Sequence, residues 1–129
     1  MRGAVVVLLA MACQLACPAD TCAQHAIEFA RDIQPLLTKH CTRCHGGVQR
    51  AGGLLLLPAA GMPAAGESGK QPLVAGKPDE SELFRRVTTP DADQRMPAER
   101  PPLAPADIAK LRQWIEEGAQ WPKSDSHHL

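Results

Sequence analysis

The sequence predicts an all-α domain of about three short helices joined by long loops. Three observations point that way. Apolar residues recur at helical spacing in three separate segments. Gly and Pro are numerous, 10 and 12 among 129 residues, which predicts much loop. No βαβ pattern runs through the chain, and one short β-pair is the most sheet the pattern allows. The length is that of one domain, so a separate cofactor domain is not expected. Lys and Arg number 14, Asp and Glu 14; this balance lacks the basic footprint of a nucleic-acid binder. Aromatic residues are only 3 %, with two Trp, two Phe and no Tyr. So thin a core calls for a staple such as a disulfide, a metal or a covalently held group.

The elements follow in chain order. Arg2 is a short basic start, and Ala4 to Ala12 is an apolar run that suits a signal sequence and is too short to span a bilayer. Thr21-Cys22-Ala23 places small residues at a cleavage site before Gln24. Residues 1–23 are expected to be a cleaved signal peptide and 24–129 the mature domain, periplasmic or otherwise exported, monomeric and without an integral membrane span. A lipid anchor is the rival reading, but Cys13 and Cys17 have Ala10 and Gln14 where a lipobox wants Leu. Cleavage leaves Cys41 and Cys44 as the remaining thiols.

The first helix is expected from about Ala30 to Lys39, with Phe29, Ile33, Leu36 and Leu37 on one face. Pro35 is tolerable only in a first turn, which makes Asp32 a candidate N-cap. Residues 46–78 carry no helical period. There Leu54 to Leu57 and Leu73-Val74 are expected either to pair as two short strands, with Ala59 to Lys70 as a mobile tip, or to leave the four-Leu run packed against a bound group. The second helix covers about Glu80 to Val87, with Asp79 and Glu82 at capping-box spacing and Leu83, Phe84 and Val87 as its stripe. The third runs from Pro105, at the first helical position, to Glu117. Ile108, Leu111, Trp114 and Ile115 share its apolar face, and Gly118 is its stop.

The chemistry is concentrated in Cys41-Thr42-Arg43-Cys44-His45. C-x-x-C-H in an exported chain reads as a c-type haem attachment site. The two thiols add across the two haem vinyl groups, and the spacer lets one turn of backbone reach both. His45 is thereby carried under the iron as proximal ligand, with its other ring nitrogen expected to donate to a backbone carbonyl. A zinc site would need a second ligand pair, and a thioredoxin-like pair would need a βαβ context. For the sixth iron position the thioether candidates are Met96 and Met62. Met96, in Arg95-Met96-Pro97, is preferred because Pro97 favours extended backbone before it, as in a strap over the haem face. His25, His40, His127 and His128 are weaker candidates, near the mature ends or tied to the proximal side. Met plus His ligation raises the reduction potential and closes the iron, which favours electron transfer over oxygen chemistry.

From Phe29 to Pro122 the chain resembles the Planctomycete-type cytochrome c domain. The pieces that carry the resemblance are Asp32-Ile33-Gln34-Pro35-Leu36-Leu37, Cys41-Thr42-Arg43-Cys44-His45-Gly46, Gly52-Gly53-Leu54 and Gly76-Lys77-Pro78-Asp79-Glu80-Ser81-Glu82-Leu83. Arg86-Val87, Arg95-Met96-Pro97, Leu111-Arg112-Gln113-Trp114-Ile115, Gly118-Ala119 and Trp121-Pro122 complete it. The resemblance implies a cytochrome c-like fold around covalent haem c. It makes Cys41 and Cys44 the attachment sites and His45 and Met96 the axial ligands. The chain departs from the family at Ala98, where a second Pro is frequent, and at the more apolar Leu56-Leu57.

The expected function is a monohaem electron carrier, not an enzyme, that meets redox-protein partners. Arg43, Arg85, Arg86, Arg95 and Arg100 are candidates for docking an acidic partner or for pairing with haem propionates. The alternative is a haem enzyme or gas-binding sensor, which needs Met96 to leave the iron. No hydrolase or transferase constellation is present.

Overall fold

The computed structural model describes residues 25–123. The expected signal segment, with Cys13, Cys17, Cys22 and its Thr21-Cys22-Ala23 cleavage site, lies outside the described residues, as do His127 and His128. Among the described residues the fold is helical. A π-helical turn, Phe29–Ile33, runs into α1 (Gln34–His40), followed by α2 (Thr42–His45), α3 (Glu82–Thr88) and α4 (Pro105–Glu116). Short 3₁₀ turns lie at Ala51–Gly53, Pro58–Ala60 and Pro78–Glu80. The described residues form no strand; a single antiparallel bridge joins His45 and Arg50.

The all-α expectation holds; α3 and α4 lie within two residues of where periodicity put them, while α1 begins four residues later than expected, with the π-helical turn covering 29–33. Two local expectations change. The chain begins to coil at Phe29, ahead of Asp32, because Pro35 has no N–H to donate to residue 31. The coil widens before it, with Gln34 N–H reaching the Phe29 carbonyl. Asp32 therefore sits inside the turn and reaches back, accepting the Glu28 N–H at 2.9 Å. The Asp79 and Glu82 capping box does not form. Asp79 accepts from Arg112 at 3.2 Å, and Glu82 accepts from Arg86 at 2.8 Å.

The core lies where the π-helical turn meets α4. Ile33, Leu37, Leu111, Trp114 and Ile115 are almost fully buried, and burying each Leu or Ile contributes on the order of 1.5–3 kcal/mol. Three of the four aromatic rings gather here. Phe29 stands 5.8 Å from Trp114 and 5.0 Å from Trp121, centroid to centroid. The fourth, Phe84, lies beneath the Arg112 guanidinium at 4.9 Å. α4 ends as the sequence predicts: Gly118, at φ 109°, lets its N–H bond Ile115 and the Ala119 N–H bond Trp114, the paired closure of a Schellman motif.

The stretch 46–78 is where the expectation of a β-pair fails. Leu54 to Leu57 do not pair with Leu73-Val74, and the segment is stitched by scattered backbone bonds instead. Glu67 N–H bonds the Gly52 carbonyl at 2.8 Å, Leu83 N–H bonds Pro72 at 3.0 Å, and Gly76 N–H bonds Ile115 at 2.7 Å. Ser81, fully buried, is the central pin. Its Oγ accepts the Val74 N–H at 2.8 Å and donates to the Lys77 carbonyl at 2.9 Å. This residue precedes α3, yet its side chain serves the loop and not the helix end.

Two outcomes test this arrangement. Ser81→Ala leaves the Val74 N–H without its partner and lowers stability by about 1–3 kcal/mol, read as a lower urea midpoint. Asp32 is held at about 2, below its ordinary 3.8, by its hydrogen bond from Arg31 and then by that from the Glu28 N–H. A depressed carboxyl stabilises the fold fully above its unfolded value and loses that contribution as pH falls. The pH-dependent part of the stability difference between the protein and Asp32→Asn is therefore constant above about pH 4. It disappears between there and pH 2, as acid titration followed by circular dichroism measures.

Candidate functional site

α1 delivers the cysteine motif directly. The Cys41 N–H still bonds Leu37 at 2.8 Å, and α2 then closes one turn in which the His45 N–H bonds the Cys41 carbonyl at 2.9 Å. Residues three apart in a helix share a side, so the two-residue spacer sets Cys41 and Cys44 on one side and carries His45 past them. Gly46 permits the exit: a Cβ there would collide with the Thr42 carbonyl oxygen. The chain then turns back through the His45 and Arg50 bridge, and the Leu56 N–H bonds the His45 carbonyl at 2.7 Å. This bond draws the four-Leu run alongside the imidazole. Leu54 and Leu56 become cavity wall, the second of the two roles expected for that run.

The opposite wall comes from α3. Leu83 and Val87 are buried on its inner face, and the loop after it is tight. The Asp93 N–H bonds the Asp91 carboxylate at 3.0 Å, and the Arg95 N–H bonds the Asp91 carbonyl at 2.8 Å. That loop returns Met96 to α3, where its N–H bonds the Arg86 carbonyl at 2.8 Å.

Between these walls lie two adjoining cavities. The larger, about 310 Å³, is lined by Cys41, His45 and Met96 together with Leu54, Leu56 and Leu83. The smaller, about 140 Å³, is lined by Cys41, Cys44, His45 and Met96, with Arg43 and Arg100 beside them. Cys41, His45, Ala51, Val87 and Met96 border both. All four residues singled out in the sequence thus meet on one slot. The weaker candidates do not share this placement. Met62 is 55 % exposed, and neither it nor His25 borders either cavity. His40 borders the smaller one, with its Nε2 3.9 Å from the Asp107 carboxylate.

The donor chemistry fits a haem. His45 Nδ1 is buried without a hydrogen-bond partner. The backbone carbonyl expected to receive the second ring nitrogen is therefore not found for Nδ1. A Cys41 thiol pushed up to about 11 by desolvation is the opposite of the low-pKa thiolate that a redox dithiol or zinc site uses. Among the described residues no group of three or more His, Cys, Asp or Glu side chains converges as a metal site. What the slot offers is a thioether, an imidazole and two thiols around an apolar space, the ligand set of a covalently held haem.

Residues 41–100 match the Planctomycete cytochrome C family model. The match starts at the first cysteine of the motif and runs past Met96, so the resemblance read from the sequence is borne out over this stretch; α1 and α4 lie outside it. No curated protein and no solved structure matches the chain. A Planctomycete cytochrome C domain points to haem, iron and electron transfer, and an all-α cytochrome c-like fold goes with it. Among the described residues no helix is long and apolar enough to cross a membrane.

Several wall residues were not legible as such. Pro72 and Lys70 reach the larger cavity because the 46–78 stretch folds back on itself, and no sequence period announces that. Gly46 offers a test of the local geometry. Gly46→Ala forces the end of α2 against the Thr42 carbonyl and lowers stability by about 1–3 kcal/mol, the range for overpacking. Thermal unfolding of the purified protein measures it.

Proposed function

We propose that this protein is a monohaem c-type cytochrome that carries single electrons between redox-protein partners. The observation that carries the reading is that Cys41, His45 and Met96 border one apolar cavity, with Cys44 on the adjoining one. When bound, haem supplies an iron that alternates between ferric and ferrous states. Cys41 and Cys44 would hold the macrocycle, each by addition of its S–H group across one of the two vinyls, with no atom lost. His45 and Met96, which border both cavities, would hold the iron. Leu54, Leu56, Leu83 and Val87 keep water from the slot, and a dry site with both ligands retained needs little reorganisation on electron transfer.

Export accompanies this function in our reading. Residues 1–23 act as the signal peptide, and the mature chain begins at Gln24 outside the cytoplasm. Partners meet the side of the slot where Cys44 is exposed and Arg43 and Arg100 flank the smaller cavity. An acidic partner surface suits that edge. The sensor or peroxidatic reading requires Met96 to swing away, and the backbone bond between Met96 and Arg86 works against that.

The deciding experiment is expression with haem-maturation machinery. The purified protein is expected to be coloured, with the mass of one haem added to residues 24–129. Met96→Ala is expected to change the ferric spectrum, lower the midpoint potential and admit carbon monoxide to the reduced iron. An unchanged spectrum and potential in this variant would remove Met96 from the iron, and a colourless wild-type protein with two free thiols would overturn the reading.

A further inference from the structure

Glu82, on α3, has a side chain only 14 % exposed, yet neither the cysteine motif nor the axial pair uses it. The charges on the rim of the larger cavity balance, with Lys70 and Arg86 against Glu67 and Glu82. Glu82 is therefore better read by what it bonds within the protein than by what it would attract. Arg86 Nε, one turn farther along α3, donates to Glu82 Oε1 at 2.8 Å. Arg85 and Lys70 stand at 3.7 and 3.8 Å, beyond hydrogen-bond distance. The carboxylate is thus committed to one partner, the Arg86 guanidinium.

Arg86 in turn holds the loop that carries Met96 at two points. Its carbonyl lies in the last turn of α3, and the residue four positions on is Pro90. Pro90 has no N–H, so no helical donor reaches that carbonyl. The Met96 N–H takes it at 2.8 Å. The Arg86 guanidinium donates through Nη1 to the Gln94 carbonyl at 3.3 Å. Between the two points the loop is closed on itself, since the Gln94 and Arg95 N–H groups both bond the Asp91 carbonyl, at 3.2 and 2.8 Å. The backbone tie is fixed by the helix. The guanidinium tie hangs on a long stem with many rotamers, and Glu82 is what selects one of them.

We infer that Glu82 is a positioning residue for Met96: by fixing the Arg86 guanidinium on Gln94, it holds the 91–96 loop closed and keeps the thioether in the slot. The inference rests on the haem reading above and deepens it. It names a residue that decides between a closed carrier site and an open site that admits outside ligands. Glu82 acts through Arg86 and is not itself a ligand.

The test is the rate at which imidazole from solution replaces Met96 on ferric haem in the loaded protein, followed by loss of the iron–sulfur charge-transfer band. At saturating imidazole the departure of Met96 limits the rate, so the rate reports the loop. Glu82→Ala is expected to raise it about tenfold, the loss of one charge-assisted hydrogen bond. Arg86→Lys should raise it similarly, because one ammonium does not replace a fork that bonds Glu82 and Gln94 together. The double variant should exceed either single by little, since both cut the same chain. In a Met96→Ala background Glu82→Ala should add nothing. Ile115→Val, in a core position that borders neither cavity, lowers thermal stability and should leave the rate where it is. Glu82→Gln keeps an oxygen that can accept from Arg86, so a smaller rise is expected; it decides the question should Glu82→Ala fail to load haem. An unchanged rate in the Glu82 variants, additive effects in the double variant, or an equal acceleration without Met96 overturns the brace and leaves the haem reading standing. A wild-type protein without haem overturns both.

Discussion

The contact between the π-helical turn and α4 is the constraint from which the rest of the molecule follows. Ile33 and Phe29 press onto Trp114, and Trp121 closes the cluster from the chain's last described turn. That seam fixes where α1 ends, and therefore where Cys41 stands. α4 packs on its other flank against α3, which fixes Val87 and Arg86 and, through the Arg86 carbonyl, Met96. Two halves of the slot that are far apart in sequence are thus placed by one shared piece of core. The aromatic scarcity is partly compensated by concentration, since three rings spent in one place build a rigid corner that rings spread evenly would not.

Away from that corner the chain has little apolar mass, and backbone hydrogen bonds take over. Ser81 pins the 74–77 turn, Gly52 receives Glu67, and His45 receives Leu56. Each bond is worth only about 1 kcal/mol net, but each also fixes a wall position. Apolar side chains line the resulting slot without filling it. On the proposed reading, haem is the missing centre of the core as well as the redox group. The four-Leu run, Leu83 and Val87 are then ordinary core residues whose packing partner is a macrocycle.

Much of this was legible in the sequence, for identifiable reasons. The helices at 34–40, 82–88 and 105–116 declare themselves by apolar spacing, and Pro105 and Gly118 by backbone chemistry that operates locally. Cys41, Cys44 and His45 stood out by their spacing, and the structure sets all three on the wall of the slot. Met96 was preferred over Met62 on local backbone grounds, and the structure brings the former to the slot and leaves the latter exposed. The failures share a cause. The β-pair, the Asp79 capping box and the partner of the His45 ring nitrogen each depend on what a side chain meets across the fold. Asp79 met Arg112 from α4, and Leu56 met the His45 carbonyl; periodicity carries no information about either. Ser81 was overlooked because the second helix was expected from about Glu80, which put it inside the helix, whereas here it precedes α3 and its hydroxyl is committed to the preceding loop.

On the proposed reading, an electron carrier would need the Met96 thioether to stay on the iron through each oxidation change. Arg86 anchors the loop that carries Met96 twice: its carbonyl accepts the Met96 N–H at 2.8 Å, and its guanidinium donates to the Gln94 carbonyl at 3.3 Å. Rim charge and ligand loop therefore share a single mechanical support. A disturbance at Glu82, which fixes the guanidinium, is transmitted to the loop as well as to the electrostatics. A lysine in place of Arg86 could supply the charge, but a single ammonium replaces a planar fork that bonds Glu82 and Gln94 together. Bracing Glu82 and holding the Met96 loop are consequently assigned to one side chain and one backbone carbonyl of the same residue.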